Sequence, residues 1–146
     1  MNIQDIKFGN NKPNNIFSEL SKNAAKYIKF DDNGKPTNSN KNTQIRKFYD
    51  ELIMWHNKVF TNQNAEQRQI SFDSNIPFIK MLKAKVAYAQ ARKSAGTTLV
   101  NENFRKVFNQ CIDEIQSVET LRDAKLFMEA TIAYCKYFEE TKNPNL

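Results

Sequence analysis

The stretch Phe104–Ile115 reads FRKVFNQCIDEI. Its apolar members, Phe104, Val107, Phe108, Cys111, Ile112 and Ile115, recur at spacings of three and four, while Arg105, Lys106, Asn109, Gln110, Asp113 and Glu114 fill the gaps. Wound at 3.6 residues per turn, that pattern gives one face to a core and the other to water. It predicts an amphipathic helix, and the rest of the chain repeats the motif in less tidy forms.

Toward the C-terminus, Leu121, Ala124, Met128, Thr131, Cys135 and Phe138 follow a seven-residue repeat from about Thr120, widened by Phe127, Ile132 and Tyr134. So broad an apolar face implies neighbours on more than one side. Toward the N-terminus, Ser74 or Asn75 is expected to cap a helix with Pro77 in its first turn and Phe78, Ile79, Leu82, Val86 and Ala89 as its buried stripe, ending at Gly96. The polar run Thr61–Ser74 before it reads as a connection. An earlier helix spans Asn42–Phe60, with Ile45, Phe48, Leu52, Trp55, His56 and Val59 on one face, and a first helix runs from Asn14 or Asn15 through Ile16, Phe17, Leu20, Ala24, Tyr27 and Ile28.

No stretch sustains an alternation of two, and three glycines and four prolines leave little material for the turns of a β fold. The expected fold class is all-α: a single compact bundle of about five helices over residues 14–146, preceded by a leader of residues 1–13 without clear periodicity. The 146 residues are enough for one hydrophobic core. Asp31–Asn42, DDNGKPTNSNKN, reads as an exposed loop. It resembles part of a calcium loop, but Lys29 and Asn40 fall where such a loop needs its first and last acidic ligands.

The function classes thin out quickly. His56 is the single histidine and borders an apolar face, so it reads as a core-edge imidazole with no nucleophile or ligand partner. Cys111 and Cys135 lie on core faces and read as small buried hydrophobes. Glycine-rich phosphate loops, paired CxxC motifs and zinc-type helices are all missing. No enzyme activity, metal or cofactor is expected. No apolar run approaches the length of a membrane span and no cleavable leader pattern opens the chain, so a cytoplasmic protein without membrane contact is expected.

Charge is more informative. The net charge is +6, and residues 74–101 hold Lys80, Lys83, Lys85, Arg92 and Lys93 with no acid among them. On a helix, Lys80 and Lys83 flank one side of the apolar stripe and Lys85 and Arg92 the other, around small side chains at Ala84, Ala87 and Ala91. Long cations bordering a low surface suit an extended polyanion. Arg46 and Lys47 sit in the first turn of their helix, where the macrodipole disfavours cations by about 0.3–1 kcal/mol each. A phosphate bound by these two, the Thr43 hydroxyl and the free N–H groups would reverse that sign.

Three segments in order, TQIRKFYDEL (Thr43–Leu52), LKAKVAYAQAR (Leu82–Arg92) and FMEATIAYCKYF (Phe127–Phe138), resemble the small subunit of type III-A CRISPR effector complexes, the Csm complexes. The resemblance covers roughly residues 43–138. It implies a small, all-helical, non-catalytic protein that stacks in several copies beside the crRNA and its target RNA, contacting their backbones without reading sequence. Its partners would be those RNAs, further copies of itself and the other Csm subunits. Matched onto the motifs, the RNA-binding residues are Arg46, Lys47, Lys83, Lys85 and Arg92, with Lys80 and Lys93 added from the charge pattern. Head-to-tail stacking needs two different surfaces, and the wide face of the last helix is expected to supply one. The competing expectation is a helical protein-interaction module whose basic faces match acidic partner subunits.

Overall fold

Ser117 opens the longest helix. Its hydroxyl accepts from the Thr120 N–H at 3.1 Å, and the Thr120 hydroxyl accepts from the Ser117 N–H at 2.8 Å, a reciprocal cap that satisfies two donors otherwise orphaned at a helix start. From there α6 (Val118–Thr141) runs to Lys142, whose left-handed backbone, φ 55°, returns its N–H to Phe138 O. In this computed structural model, which describes residues 1–146, α6 is the axis of the fold. Leu121, Ala124, Phe127, Met128, Thr131, Ile132, Cys135 and Phe138 are all buried along it. The breadth of its apolar face is used up inside the molecule, against α1 (Glu19–Lys29), α2 (Asn42–Phe60) and the phenylalanines of neighbouring segments. Of its large apolar side chains only Tyr137 is notably exposed, so the expectation that this broad face contacts another copy is corrected.

The remaining elements are α3 (Ala65–Lys80), α4 (Leu82–Ala91), a two-residue hairpin β1 (Lys93–Ser94) and β2 (Thr97–Thr98), and α5 (Glu102–Asp113). Met81 alone separates α3 from α4, so the fold is the expected helical bundle of about five if these are counted as one broken helix. The stripe that decided the reading is realised in α5: Phe104, Val107, Phe108, Cys111, Ile112 and Ile115 are each at most 1% exposed. Phe104 and Phe108 stack at 5.6 Å with Phe48 against both, and each phenylalanine so buried contributes about 1.5–3 kcal/mol. No helix is long and apolar enough to cross a membrane.

Several boundaries differ from the sequence expectation. The polar run after α2 is helical from Ala65, capped by the Asn64 side chain accepting from Gln67 N at 2.8 Å. Only Phe72 and Ile79 of α3 are buried, so this helix leaves no apolar stripe to read. Pro77 therefore lies near its C-terminal end and not in a first turn, and Phe78, expected inside, is 48% exposed and stacked on Trp55. The helix expected to end at Gly96 ends at Ala91. Ala95 and Gly96 instead take φ of 54° and 81°, the positive pair that a tight two-residue hairpin requires. The first helix starts at Glu19, after turns over 14–18.

Residues 1–13, expected as a leader, pack onto the bundle. Ile6 and Phe8 are core residues, and the Gly9 N–H and Lys12 ammonium both donate to the buried Asp123 carboxylate, at 2.9 and 3.2 Å. Gln110, expected on the outer face of its helix, is buried because this segment covers it and it donates to Ile6 O. The loop after α1 is exposed over Asp31–Pro36, but its end is not. Asn40, with φ 61°, is fully buried. Its amide donates to Ile28 O and Asn101 Oδ1 and accepts from the Asn101 N–H, tying the loop to the start of α5.

Candidate nucleic-acid interface

The Asn40 tie has a consequence for charge. It fixes residues 38–41 against the strand leaving the hairpin, where the Asn40 N–H donates to Leu99 O and the Ser39 and Thr98 hydroxyls meet at 2.9 Å. A shallow cavity of about 340 Å³ lies between the two segments, lined on one side by Asn38, Lys41, Thr43 and Gln44 and on the other by Ser94, Ala95, Thr97 and Thr98. The first turn of α2 and the hairpin, far apart in sequence, thus share one end of the molecule.

The seven predicted cations divide into three groups there. Lys47, Lys85, Arg92 and Lys93 border this end. Lys47 reaches Gln44 at 3.5 Å, Lys85 reaches across from α4 to Glu51, one turn beyond Lys47, at 3.0 Å, and Arg92 and Lys93 lead into the hairpin with no ion pair. Lys41, which precedes the expected helical pattern, itself lines the cavity. Arg46, about 100° round the helix from Lys47, instead lines a cleft between α2 and α6, with its guanidinium 6.0 Å from the Tyr49 ring centre and 3.9 Å from Asp50.

Lys80, the last residue of α3, and Lys83, in the first turn of α4, form the third group, both turned to the end of α5. The Lys83 ammonium meets Asp113 at 2.6 Å. The Lys80 ammonium donates to Ile112 O at 2.6 Å and Ile115 O at 2.9 Å, closing the C-terminal end of α5. Burial lowers its pKa, with Asp113 acting in the opposite direction. Lys80 is placed as a helix cap rather than a reaching cation.

The phosphate site expected at the start of α2 is largely occupied by the protein itself. Asn42 N donates to Glu139 Oε1 at 3.2 Å, and Gln44 N and Ile45 N are turned onto Lys41 O. Burial pushes the Glu139 carboxyl up, but the Lys29 ammonium at 3.0 Å and the Asn42 N–H outweigh it and hold the group below its ordinary value. An internal carboxylate already supplies the anion that the helix dipole favours.

The cysteines and the histidine gather no catalytic or ligand group. Cys111 and Cys135 are fully buried, and burial raises both thiol pKa values, that of Cys135 to about 12. His56 is half-buried against Phe60, with ring centres 4.4 Å apart, as a core-edge imidazole. No three His, Cys, Asp or Glu side chains gather as a metal-binding group.

Comparison with protein families identifies the chain. The family model Csm2 Type III-A matches residues 15–141, nearly the whole chain. The chain belongs to the Csm2 family. It is thereby a subunit of the type III-A Csm effector complex, assembled with other Csm subunits and crRNA, as the three sequence segments implied. No curated protein and no solved structure matches it. The family match begins inside the N-terminal segment that the sequence reading left outside the resemblance, so the Csm2 unit includes the first helix.

Proposed function

We propose that this Csm2 protein is a non-catalytic structural subunit that stacks in several copies along the complex and holds the ribose-phosphate backbones of crRNA and target RNA without reading their sequence. The observation carrying this reading is the meeting of the start of α2 with the hairpin: Lys41 lines the cavity beside Ser94, Ala95 and Thr97, Lys47 is bonded to Gln44 of the lining, Lys85 is paired across to Glu51 of α2, and Arg92 and Lys93 lead into the hairpin. A protein that serves any guide must contact phosphates and 2′-hydroxyls, because an A-form duplex withholds its base edges. Dispersed cations of this kind suit that task.

Lys83 and Lys85 are paired with carboxylates, yet both pairs are exposed on each partner. Surface pairs of this kind contribute about 0–1 kcal/mol, so exchanging a carboxylate for a phosphate costs little. Arg46 stands at the rim of the separate α2–α6 cleft.

A second reading is favoured by a different observation. Met54, Phe78, Met81 and Tyr88 are 48–68% exposed around the Trp55–Phe78 stack, a patch of the kind that meets protein. In that reading the basic faces match acidic subunits and RNA is held by others. Charge reversal at Lys47, Lys85 and Lys93 separates the two: within the assembled complex, RNA affinity should fall at least tenfold while native mass spectrometry shows all subunits in place. Unchanged RNA affinity, or loss of assembly with RNA retained, would overturn the first reading.

A further inference from the structure

A cleft of about 650 Å³ lies between the first turns of α2 and the middle of α6. Its size is that of a small-molecule site, and the functional reading above uses only its rim. The floor is Tyr49 and Ile132, 5% and 6% exposed. The Tyr49 hydroxyl is directed to Glu129 at 3.3 Å, and burial, with that carboxylate adding to it, pushes its pKa to about 12, so the ring is a fixed neutral surface.

The wall carries the unusual group. Asn42 lines the cleft, and both its amide oxygen and its amide nitrogen are buried with no protein partner. Each orphaned polar group of this kind costs about 1–3 kcal/mol, so the pair calls for something that presents a donor and an acceptor side by side. Every nucleobase does so on its Watson–Crick edge, and an asparagine amide turned over exchanges its donor and acceptor, so it fits any of the four. At the mouth, Arg46 and Lys136 are about two-thirds exposed cations, each beside an acid four residues on in its own helix.

We propose that this cleft seats one unpaired nucleotide of the bound RNA, its base over Tyr49 and Ile132, its edge on the Asn42 amide and its phosphate at Arg46 and Lys136. The inference rests on the RNA-binding reading and adds to it a preference for unpaired over paired nucleotides. A duplex offers the Arg46 rim its phosphates but has no base edge to give Asn42. The base identity is immaterial, in keeping with a protein that serves any guide.

Two variants of the full-length protein test this against a single-stranded RNA carrying one 2-aminopurine and against the fully paired duplex of the same sequence. Asn42→Ala removes the amide, and Ala133→Trp, at an exposed position on the cleft rim, fills it. Each should weaken single-strand binding about tenfold, abolish the fluorescence change of the 2-aminopurine, and leave duplex affinity unaltered. Asn42→Ala should melt no lower than the unmodified protein, which separates lost binding from lost folding. If both variants bind the single strand as tightly as the parent while duplex binding persists, the cleft holds solvent only and the inference fails alone. If the unmodified protein binds neither RNA, the RNA-binding reading fails with it. Adenosine monophosphate shifting the Asn42 and Ala133 amide resonances as strongly as the oligonucleotide does would reassign the cleft to a free nucleotide.

Discussion

Lys29 and Lys80 are lysines that a sequence presents as surface charge and the fold uses as internal struts. The Lys29 ammonium, on a side chain 6% exposed, binds Asn40 O at 2.8 Å and Glu139 at 3.0 Å, joining α1, the loop after it and α6. Because the Glu139 carboxyl titrates below its unfolded value of about 4.5, its contribution is complete above that pH and is lost as pH falls through the lower folded value. Denaturant midpoints should therefore drop as pH falls below about 4.5, and Glu139→Gln should flatten that drop. The same variant should cost about 3 kcal/mol at pH 7, since it leaves a buried ammonium without its counter-ion. Lys80→Met should cost about 1–2 kcal/mol by opening the end of α5, measured by urea unfolding, while RNA affinity stays within twofold. A tenfold loss of affinity in that variant would return Lys80 to the interface.

Among the elements, α3 and α6 are opposites. Nine side chains of α6 are buried, against two of α3, and the difference tells where each gets its stability. Packing supports α6, whereas α3, with Ser, Asp, Asn and Pro in its second half, leans on its cap and on the few contacts of Phe72 and Ile79. Asn64→Ala should then cost about 1 kcal/mol and speed amide hydrogen exchange over residues 65–72 in particular, with α6 unchanged. Uniform acceleration through both helices would show that α3 is locked into the global unfolding unit. The same contrast explains what was legible. The α5 and α6 patterns are strong because burial is strong, and their apolar inward residues were readable one by one, whereas the buried Gln110 and Asp123 were not. Where burial is sparse, as in Ala65–Ser74, no period exists to be read, and the cap at Asn64 was the only signal. At the hairpin, Gly96 announced a turn but not that Ala95 would share its positive φ.

For the whole molecule the question is how many cations reach one strand. Lys47, Lys85, Arg92 and Lys93 border one end with Lys41. Five phosphate contacts give a log–log dependence of affinity on salt with a slope of about −3.5 for single strands, and each removed contact should flatten it by about 0.7. A slope near zero in filter binding between 50 and 200 mM salt would exclude a backbone grip. Of the candidate site, the sequence displayed the acid-free run 74–101 and the Arg46–Lys47 pair but not their division: Arg46 alone lines the α2–α6 cleft, Lys47 bonds Gln44, and Lys80 caps α5.

Local periodicity, with its scarcity of glycine and alternation, was enough to require a helical bundle, and the order of three short segments was enough to indicate its family. Both are properties of residues within a few turns of one another. The placement of α2 beside the hairpin, the occupation of its N-terminus by Glu139, and the packing of Ile6 and Phe8 into the core depend on contacts across tens to more than a hundred residues. Those contacts hang on single buried groups, Asn40, Lys29 and Asp123. A lone polar side chain has no period, so only the folded chain reveals whether it meets water or closes the structure.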